Sequence, residues 1–583
     1  MKRLYYGDNL QVLRENIPDE CIDLIYLDPP FNSNANYNVL FKNATGERSE
    51  AQITAFEDTW TWGIESERFL DEIKDIKGEL YQLLDLLVRT LGKNSLSAYL
   101  VMMTIRLIEL HRVLKSSGSL YLHCDPTASH YLKMILDIIF QAKNFLNEVC
   151  WKRSSAHNDT KQGMKRYGKI RDLLLVYTKS NSYYTWNPVY TPYNESYLKK
   201  TYNKIAPNGR RFTDENLTAA KAGGDTSYEW RVKKLNNGEW EADIDDEYLK
   251  PKENYEYKAV VPYNGRYWAY SKENMIEFAK QGKLFHRRTG VPRLMNFADE
   301  MPGIALQDLW IDIPPGNKLG YPTEKPQALL ERIIQVSSNK GDIVLDPFCG
   351  CGTAIHAAEN LGRNWIGIDI THLAIALIEK RLRDAFPNKF IEDENKNQKL
   401  VPGIEFEVEG TPKDLAAAED LFTRDPYQFQ WWACSLVNAQ PYKDKKKGAD
   451  GGIDGLIFFE DVIDIKKSNK TAVKRIIVSV KGGKNINASM IRDLRGTMET
   501  NKSDIGLFVT LTSPTQPMIK EAASSGFYKA GNGRSYAKVQ ILTIEELLTG
   551  QKRPEFFDMK QGELTFKKAQ RENRDIGEQG ELF

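Results

Sequence analysis

The stretch "DIVLDPFCGCGTAIHAAENLGRNWIGIDIT", residues 342–371, decides the fold. A short apolar run rises into Asp346, a glycine-rich turn follows, an alanine-rich helix begins near Thr353, and a second apolar run ends at Asp369. That is a strand, loop, helix and strand in the order of a parallel βαβ unit. Gly350 and Gly352 flank the turn, where a missing Cβ lets backbone approach a ligand and the helix start offers free N–H groups. Asp369 lies 23 residues after Asp346, where a carboxylate can take both hydroxyls of a ribose. No GK[ST] follows the glycines, and the pattern is G-x-G-T without the third glycine of a dinucleotide fingerprint. A nucleoside ligand without phosphates fits best.

Working outward, residues 1–150 repeat the alternation. "DLIYLDPP" reads as a strand stopped by two prolines, "AYLVMMTIRLIELHRVLKSSG" as an amphipathic helix closed by Gly118, "SLYLHCDP" as another strand, and "ASHYLKMILDIIF" as another helix. Residues 151–302 are turn-rich, with 27 Lys+Arg against 19 Asp+Glu and interleaved aromatics, among them Tyr183, Trp186, Tyr190, Tyr197, Trp230 and Trp268. Such a surface can track phosphates and stack on bases, although a solvated mixed insertion has the same composition. The alternation resumes at 303–390, which implies a doubly wound sheet interrupted by an insertion. A charged stretch at 391–410 reads as a linker, residues 411–552 as a separate compact module, and 553–583 as a flexible tail.

Composition bounds the rest. The 583 residues are too many for one core, and 41% hydrophobic with 27% charged is ordinary for a soluble globular protein. No apolar run approaches the roughly 20 residues that cross a bilayer, and "MKRLYYGDNLQVL" has no signal-peptide core, so the expected location is cytoplasmic. Six cysteines at 21, 124, 150, 349, 351 and 434 lack CxxC spacing, which argues against a zinc site or disulfide framework. Cys349 and Cys351 read as packed small residues.

"DPPF" at 28–31, then "GYPTEKPQALLERII" at 320–334 and "VLDPFCGCGT" at 344–353, resembles the β class of amino-group DNA methyltransferases, in which the catalytic motif comes first and the S-adenosylmethionine (SAM) motif last. The resemblance implies a SAM-dependent, Rossmann-like α/β domain with an inserted target-recognition domain, acting on double-stranded DNA in a bacterial or archaeal cell, at the nucleoid. It implies that Asp28 and the Pro29 carbonyl accept from the two N–H bonds of an exocyclic amine, localising its lone pair and stabilising the charge that develops on transfer. Pro30 stiffens that loop and Phe31 stacks on a base rotated out of the duplex. Asp rather than Ser before Pro-Pro favours adenine N6 over cytosine N4, and no Pro-Cys occurs for C5 chemistry. By the same resemblance Asp8 sits near the SAM adenine, Thr323, Lys325 and Pro326 line its methionine end, Phe348 covers it, and Asp346, Gly350, Gly352, Thr353 and Asp369 complete its site.

"YQFQWWACSLVNAQPYKDKKKGADGGIDGLIFF" at 427–459 with "RIIVSVKGGKN" at 475–485 resembles the Mrr-like branch of the PD-(D/E)xK restriction nucleases. This implies a C-terminal α/β restriction-endonuclease-like domain in which Asp454, Asp450 and Lys481 hold Mg²⁺ and activate water. Ser479 stands where that family carries Glu, Asp or Gln, and a hydroxyl is the weaker ligand. Gln430 stands on the preceding helix where relatives carry a glutamate. The expected whole is a single-chain restriction–modification enzyme; the alternative is a methyltransferase with an inactive DNA- or partner-binding module. Relatives of the class often dimerise, which makes a second copy of the chain a candidate partner. The terminal "QGELF" at 579–583 resembles peptides that dock on bacterial sliding clamps.

Overall fold

The computed structural model describes residues 1–30, 38–42, 48–54, 61–154, 165, 167–221, 223, 225–244, 255–314, 324–392, 398–442, 452–462, 471–560 and 565. Phe31, Thr323, Asp450 and the 579–583 peptide lie outside the described residues.

The chain divides into two units, one formed by Met1–Asn187 with the chain from Gln307 onward, the other by Pro188–Leu306. The first unit contains a nine-stranded sheet of β1 (Lys2–Tyr6), β2 (Ile22–Leu27), β3 (Leu114–Cys124), β4 (Phe145–Lys152), β5 (Arg171–Thr178), β6 (Leu309–Trp310), β7 (Ile343–Asp346), β8 (Asn364–Asp369) and β9 (Glu407–Glu409). Their spatial order is β6-β4-β5-β3-β2-β7-β8-β1-β9. All neighbours run parallel except β5, which is antiparallel to both β3 and β4. Every residue of β2 is buried, as a strand covered on both faces requires. From β2 the chain returns to β3 through α2 (Ser95–Val113), whereas from β7 it runs the other way to β8 through α4 (Thr353–Asn360). The β2/β7 boundary is therefore the switch point, where open α/β sheets bind their ligands.

The structure departs from the sequence expectations in several places. α2 stops at Val113 rather than at Gly118, and the chain enters β3 directly at Leu114. Gly118 is a strand residue whose Cβ would lie 2.5 Å from Leu114 Cδ1. α2 is buried over most of its surface rather than along one stripe, because it is packed among the helices and sheet of the core. β5 lies inside the span expected for the insertion but belongs to the nine-stranded sheet, and the compact insertion starts at Pro188. Within 391–410, β9 pairs with β1 and covers that sheet edge.

The second unit carries short antiparallel strands, including Arg211–Asn216 against Pro292–Phe297 and Trp230–Lys234 against Tyr257–Val260. Trp230 and Trp268 form its core, while Tyr190 and Tyr197 remain exposed.

The C-terminal module in the first unit is a five-stranded sheet in sequence order: β10 (Gln440–Pro441), β11 (Gly455–Val462), β12 (Thr471–Lys481), β13 (Ile505–Thr510) and β14 (Val539–Thr543). β11 pairs with β10 only through Leu456 and Gly455, leaving the rest of that edge open. The start of the expected flexible tail fills it. Thr565 is buried, its hydroxyl accepts from Phe458 N–H and donates to Phe458 O, both at 2.9 Å, and Met559 N–H donates to Glu460 O at 3.0 Å.

Candidate active sites

Asp28 leaves the carboxyl end of β2 and Asp346 ends β7, its immediate neighbour in the sheet. Pro29 is buried beneath the loop and Pro30 half-buried. Lys325 pairs with Asp28, both side chains lying below one fifth exposed. Lys325 immediately precedes α3 (Gln327–Ser337), which Pro326 caps with fixed φ. The segment before α3 and the loop after β2, 297 residues apart, thus meet at one carboxylate.

The glycine loop is held by its own acids. Phe348 N–H donates to Asp346 at 3.0 Å, and burial, with the nearby charges of Asp28 and Asp369, pushes the Asp346 carboxyl well above its ordinary value. Gly350 N–H donates to Asp369 at 3.0 Å, while the N–H and hydroxyl of Thr371 reach its other oxygen at 2.9 Å. Burial outweighs these donors and raises Asp369 to about 6. Gly352 has φ +76° and caps α4, and a Cβ there would stand 2.6 Å from Ile378 Cγ1. Phe348 packs against the core at the loop's outer side. Cys349 and Cys351 are buried, and burial raises both thiols.

Two buried arginines, overlooked in the sequence, fix this loop. Asp8 caps α1 (Asn9–Asn16) through Leu10 N–H at 2.9 Å and pairs with Arg106 at 2.7 Å. Arg106 also donates to Asn9 at 2.6 Å, and Asn9 donates to the Pro347 carbonyl at 2.8 Å. Arg381, on α5 (His372–Ala385), donates to Thr353 at 3.2 Å and to the Cys351 carbonyl at 3.3 Å, and pairs with Glu324 at 3.3 Å. It therefore ties the glycine loop to the residue before Lys325. A lone arginine in an apolar helix, as in "VMMTIRLIEL", is the signal that could have revealed Arg106, since such a charge is seldom buried unpaired.

In the C-terminal module Asp454 precedes β11 and faces the end of β12. Its carboxylate accepts from Val480 N–H at 2.7 Å and lies 3.5 Å from the Ser479 hydroxyl and 3.7 Å from Lys481 Nζ. Gln430 is half-buried on α6 (Pro426–Leu436). Among the described residues no group of three or more His, Cys, Asp or Glu is placed to hold a metal ion.

In the insertion, Lys204, Arg293 and Arg287 converge on Asp214 at 2.5, 2.8 and 3.6 Å. Burial raises that carboxyl, but Lys204 and Arg293 overcome it and hold it at about 2. Three cations around one carboxylate leave a net positive patch.

A doubly wound sheet with a carboxylate and a glycine loop at its switch point defines a Rossmann-like methyltransferase fold, here joined to a nuclease-like α/β module. Residues 22–380 match the family model described as DNA methylase, for amino-group N6 and N4 enzymes, and the chain belongs to that family. Residues 422–548 match the restriction endonuclease model of the Mrr catalytic domain. The type II methyltransferase M.EcaI of Enterobacter cloacae is 29% identical over 291 residues, 49% of this chain and 57% of that protein. The type III StyLTI Mod subunit of Salmonella typhimurium is 26% identical over 384 residues, 61% of this chain and 49% of that one. The DNA adenine methyltransferase YhdJ of Escherichia coli (strain K12) is 24% identical over 381 residues, 65% of this chain and 82% of that one. The chain thus spans about half the length of the first two relatives.

Proposed function

We propose that the chain transfers a methyl group from SAM to adenine N6 in double-stranded DNA, and that its C-terminal module cuts DNA with Mg²⁺. The observation that carries the first half is the meeting of Asp28, Lys325 and the Asp346 loop at the β2/β7 switch point. The donor set fits SAM. Asp369, half-buried beside the exposed Ile370, can accept from ribose hydroxyls; Gly352, in left-handed backbone against Ile378, fixes the turn that leads into the helix; and Lys325 offers an ammonium for a carboxylate. Bound there, SAM supplies an electrophilic methyl carbon on a sulfonium.

The chain's own residues prepare the nucleophile. A purine amine has a delocalised lone pair, so it attacks poorly until its N–H bonds are held by acceptors. Asp28 and the Pro29 carbonyl provide these at a rigid strand end, and Asp28 stabilises the positive charge that grows on the nitrogen. Phe31 would stack on the extruded base, and the patch at Lys204, Arg287 and Arg293 would contact phosphates. Adenine is preferred because Asp precedes Pro-Pro, in keeping with the adenine specificity of the relative YhdJ.

For cleavage, Asp454 with Asp450 would hold Mg²⁺ together with a substrate phosphate, and Lys481 would orient the attacking water. Ser479 in place of an acid favours the second reading, a module that binds DNA or a partner without cutting it. A second copy of the chain and a sliding clamp bound through 579–583 complete the proposed partners. Among the described residues no helix is long and apolar enough to cross a membrane, and the proposed place of action is the cytoplasm, at the nucleoid.

The test incubates the purified chain with labelled SAM and mixed-sequence DNA, then identifies modified nucleosides by mass spectrometry. N6-methyladenine that disappears in Asp28→Ala is expected. N4-methylcytosine would overturn the adenine assignment, and no methylated base would overturn the reading as a whole. DNA left uncut by the chain in every divalent metal would favour the binding module.

A further inference from the structure

Leu27 is the last residue of β2 paired with β3, opposite Leu122. The two prolines after Asp28 have no N–H to donate to that ladder. A buried chain of side chains stands at the same strand ends. Tyr26 lies two residues before Asp28, near enough for the charge of that carboxylate to reach its hydroxyl. Its hydroxyl lies 3.0 Å from Nδ1 of His123 on β3, and Nε2 of that ring lies 3.3 Å from Asp172 on β5. Arg153 pairs with the other Asp172 oxygen at 3.4 Å. Tyr26, His123 and Asp172 are all buried, and Trp151 covers the imidazole edge-on at 6.0 Å.

Burial pushes the Asp172 carboxyl up, but the hydrogen bond and charge of His123, with Arg153 and Lys325, bring it below its ordinary value. An ionised Asp172 only accepts, so its contact with His123 Nε2 is a hydrogen bond donated by the imidazole, while the Tyr26 hydroxyl stands within hydrogen-bond distance of Nδ1. Burial, with Asp28, Asp346 and Asp172 nearby, keeps the Tyr26 hydroxyl protonated as the matching donor. Lys325 is both the partner of Asp28 and a cation felt by Asp172, so the chain and the catalytic carboxylate share one charge.

We propose that His123 is a positioning residue for methyl transfer: by joining Tyr26 to Asp172 across three adjacent strands, it holds the end of β2 and orients the Asp28 carboxylate toward the target amine. The inference rests on Asp28 being the acceptor of that amine. The three strands contribute one hydrogen-bonding group each.

The test compares wild type, His123→Ala, His123→Gln and Tyr26→Phe in the full chain, measuring kcat and KM for methyl transfer to DNA, SAM affinity by calorimetry, and melting. Glutamine offers an amide oxygen to Tyr26 and an amide N–H to Asp172, so it is the conservative replacement. His123→Ala is expected to lower kcat about 10²-fold, the scale of a misplacement near 1 Å, with KM and SAM affinity within about twofold. His123→Gln is expected to recover most of that loss, and Tyr26→Phe to lower kcat alone. A folded His123→Ala chain with wild-type kcat, or with a loss confined to KM or to SAM affinity, overturns the proposal. If the alanine variant does not fold, Tyr26→Phe with unchanged kcat overturns it equally. A wild type that methylates no DNA refutes the assignment of Asp28 instead, so the two failures are separable.

Discussion

Replacing Arg381 with methionine tests how the two halves of the methyltransferase site are joined. Arg381 and Glu324 are each about 5% exposed at the side chain, and they face one another at 3.3 Å. The same guanidinium serves Thr353 at 3.2 Å, the Cys351 carbonyl at 3.3 Å and His356 Nδ1 at 3.1 Å. Removing one partner of a buried pair leaves an uncompensated charge, which costs about 3–5 kcal/mol. For a domain of this size that corresponds to a fall in Tm of roughly 10 °C. Making the partner neutral as well, in Arg381→Met with Glu324→Gln, removes the buried charge and should recover about half of the loss or more. Function should follow separately. Glu324 adjoins Lys325, so SAM affinity measured by calorimetry well below the melting temperature should weaken about tenfold in the single variant. The reasoning is refuted if Arg381→Met melts within about 2 °C of wild type, or if the double variant is as unstable as the single one.

The other expectations concern single groups. Gly352→Ala must place a methyl 2.6 Å from Ile378 Cγ1 in left-handed backbone, at a cost of about 2–4 kcal/mol, and calorimetry should show SAM affinity lost with it. Asp369, raised to about 6, stands above its unfolded value of about 3.9, so the ligand-free chain loses up to about 3 kcal/mol of stability as pH rises from about 4 through 6. Because ribose hydroxyls favour the ionised acceptor, SAM affinity should rise over the same interval and level off above about pH 7; titration of Asp369→Asn should show no such step. Asp454→Asn should abolish metal-dependent cleavage in a gel assay and leave methyl transfer unchanged, since Asp454 sits on a different sheet from Asp28. Equal loss of both activities would show that the modules are not chemically independent.

The parts of this molecule that could be read from sequence are those whose cause is local. β2 and β7 are apolar runs stopped by Asp-Pro, so strand, terminus and carboxylate are all written within a few residues. That these two strands lie side by side was legible only through the family resemblance, because nothing in the pattern pairs Ile25 with Leu345. The boundary between α2 and β3 was misplaced for the opposite reason. Gly118 looked like a helix stop, but the chain passes from Val113 into Leu114 with no turn, and the glycine instead admits the close approach of the Asp23 carbonyl. The linker and the tail failed similarly, since polar composition gives no warning that β1 and β11 each present an open edge to be filled.

The supports of the candidate site escaped because their partners are distant and each residue alone looks incidental. Arg106 sits in "TIRLIEL", His123 in "LYLHCDP" and Arg381 in "EKRLRDA", each ordinary when read singly. Yet a cation or imidazole inside a run that must be buried needs a partner, and the partner has to come from another strand or helix. In all three cases it comes from beside a motif: Asp8 and Asn9 beside the Pro347 loop, Tyr26 two residues before Asp28, Glu324 one residue before Lys325. The buried polar residues therefore mark, from behind, the loops on which the chemistry depends. Disturbing any of them should alter the site while leaving the motif residues themselves in place.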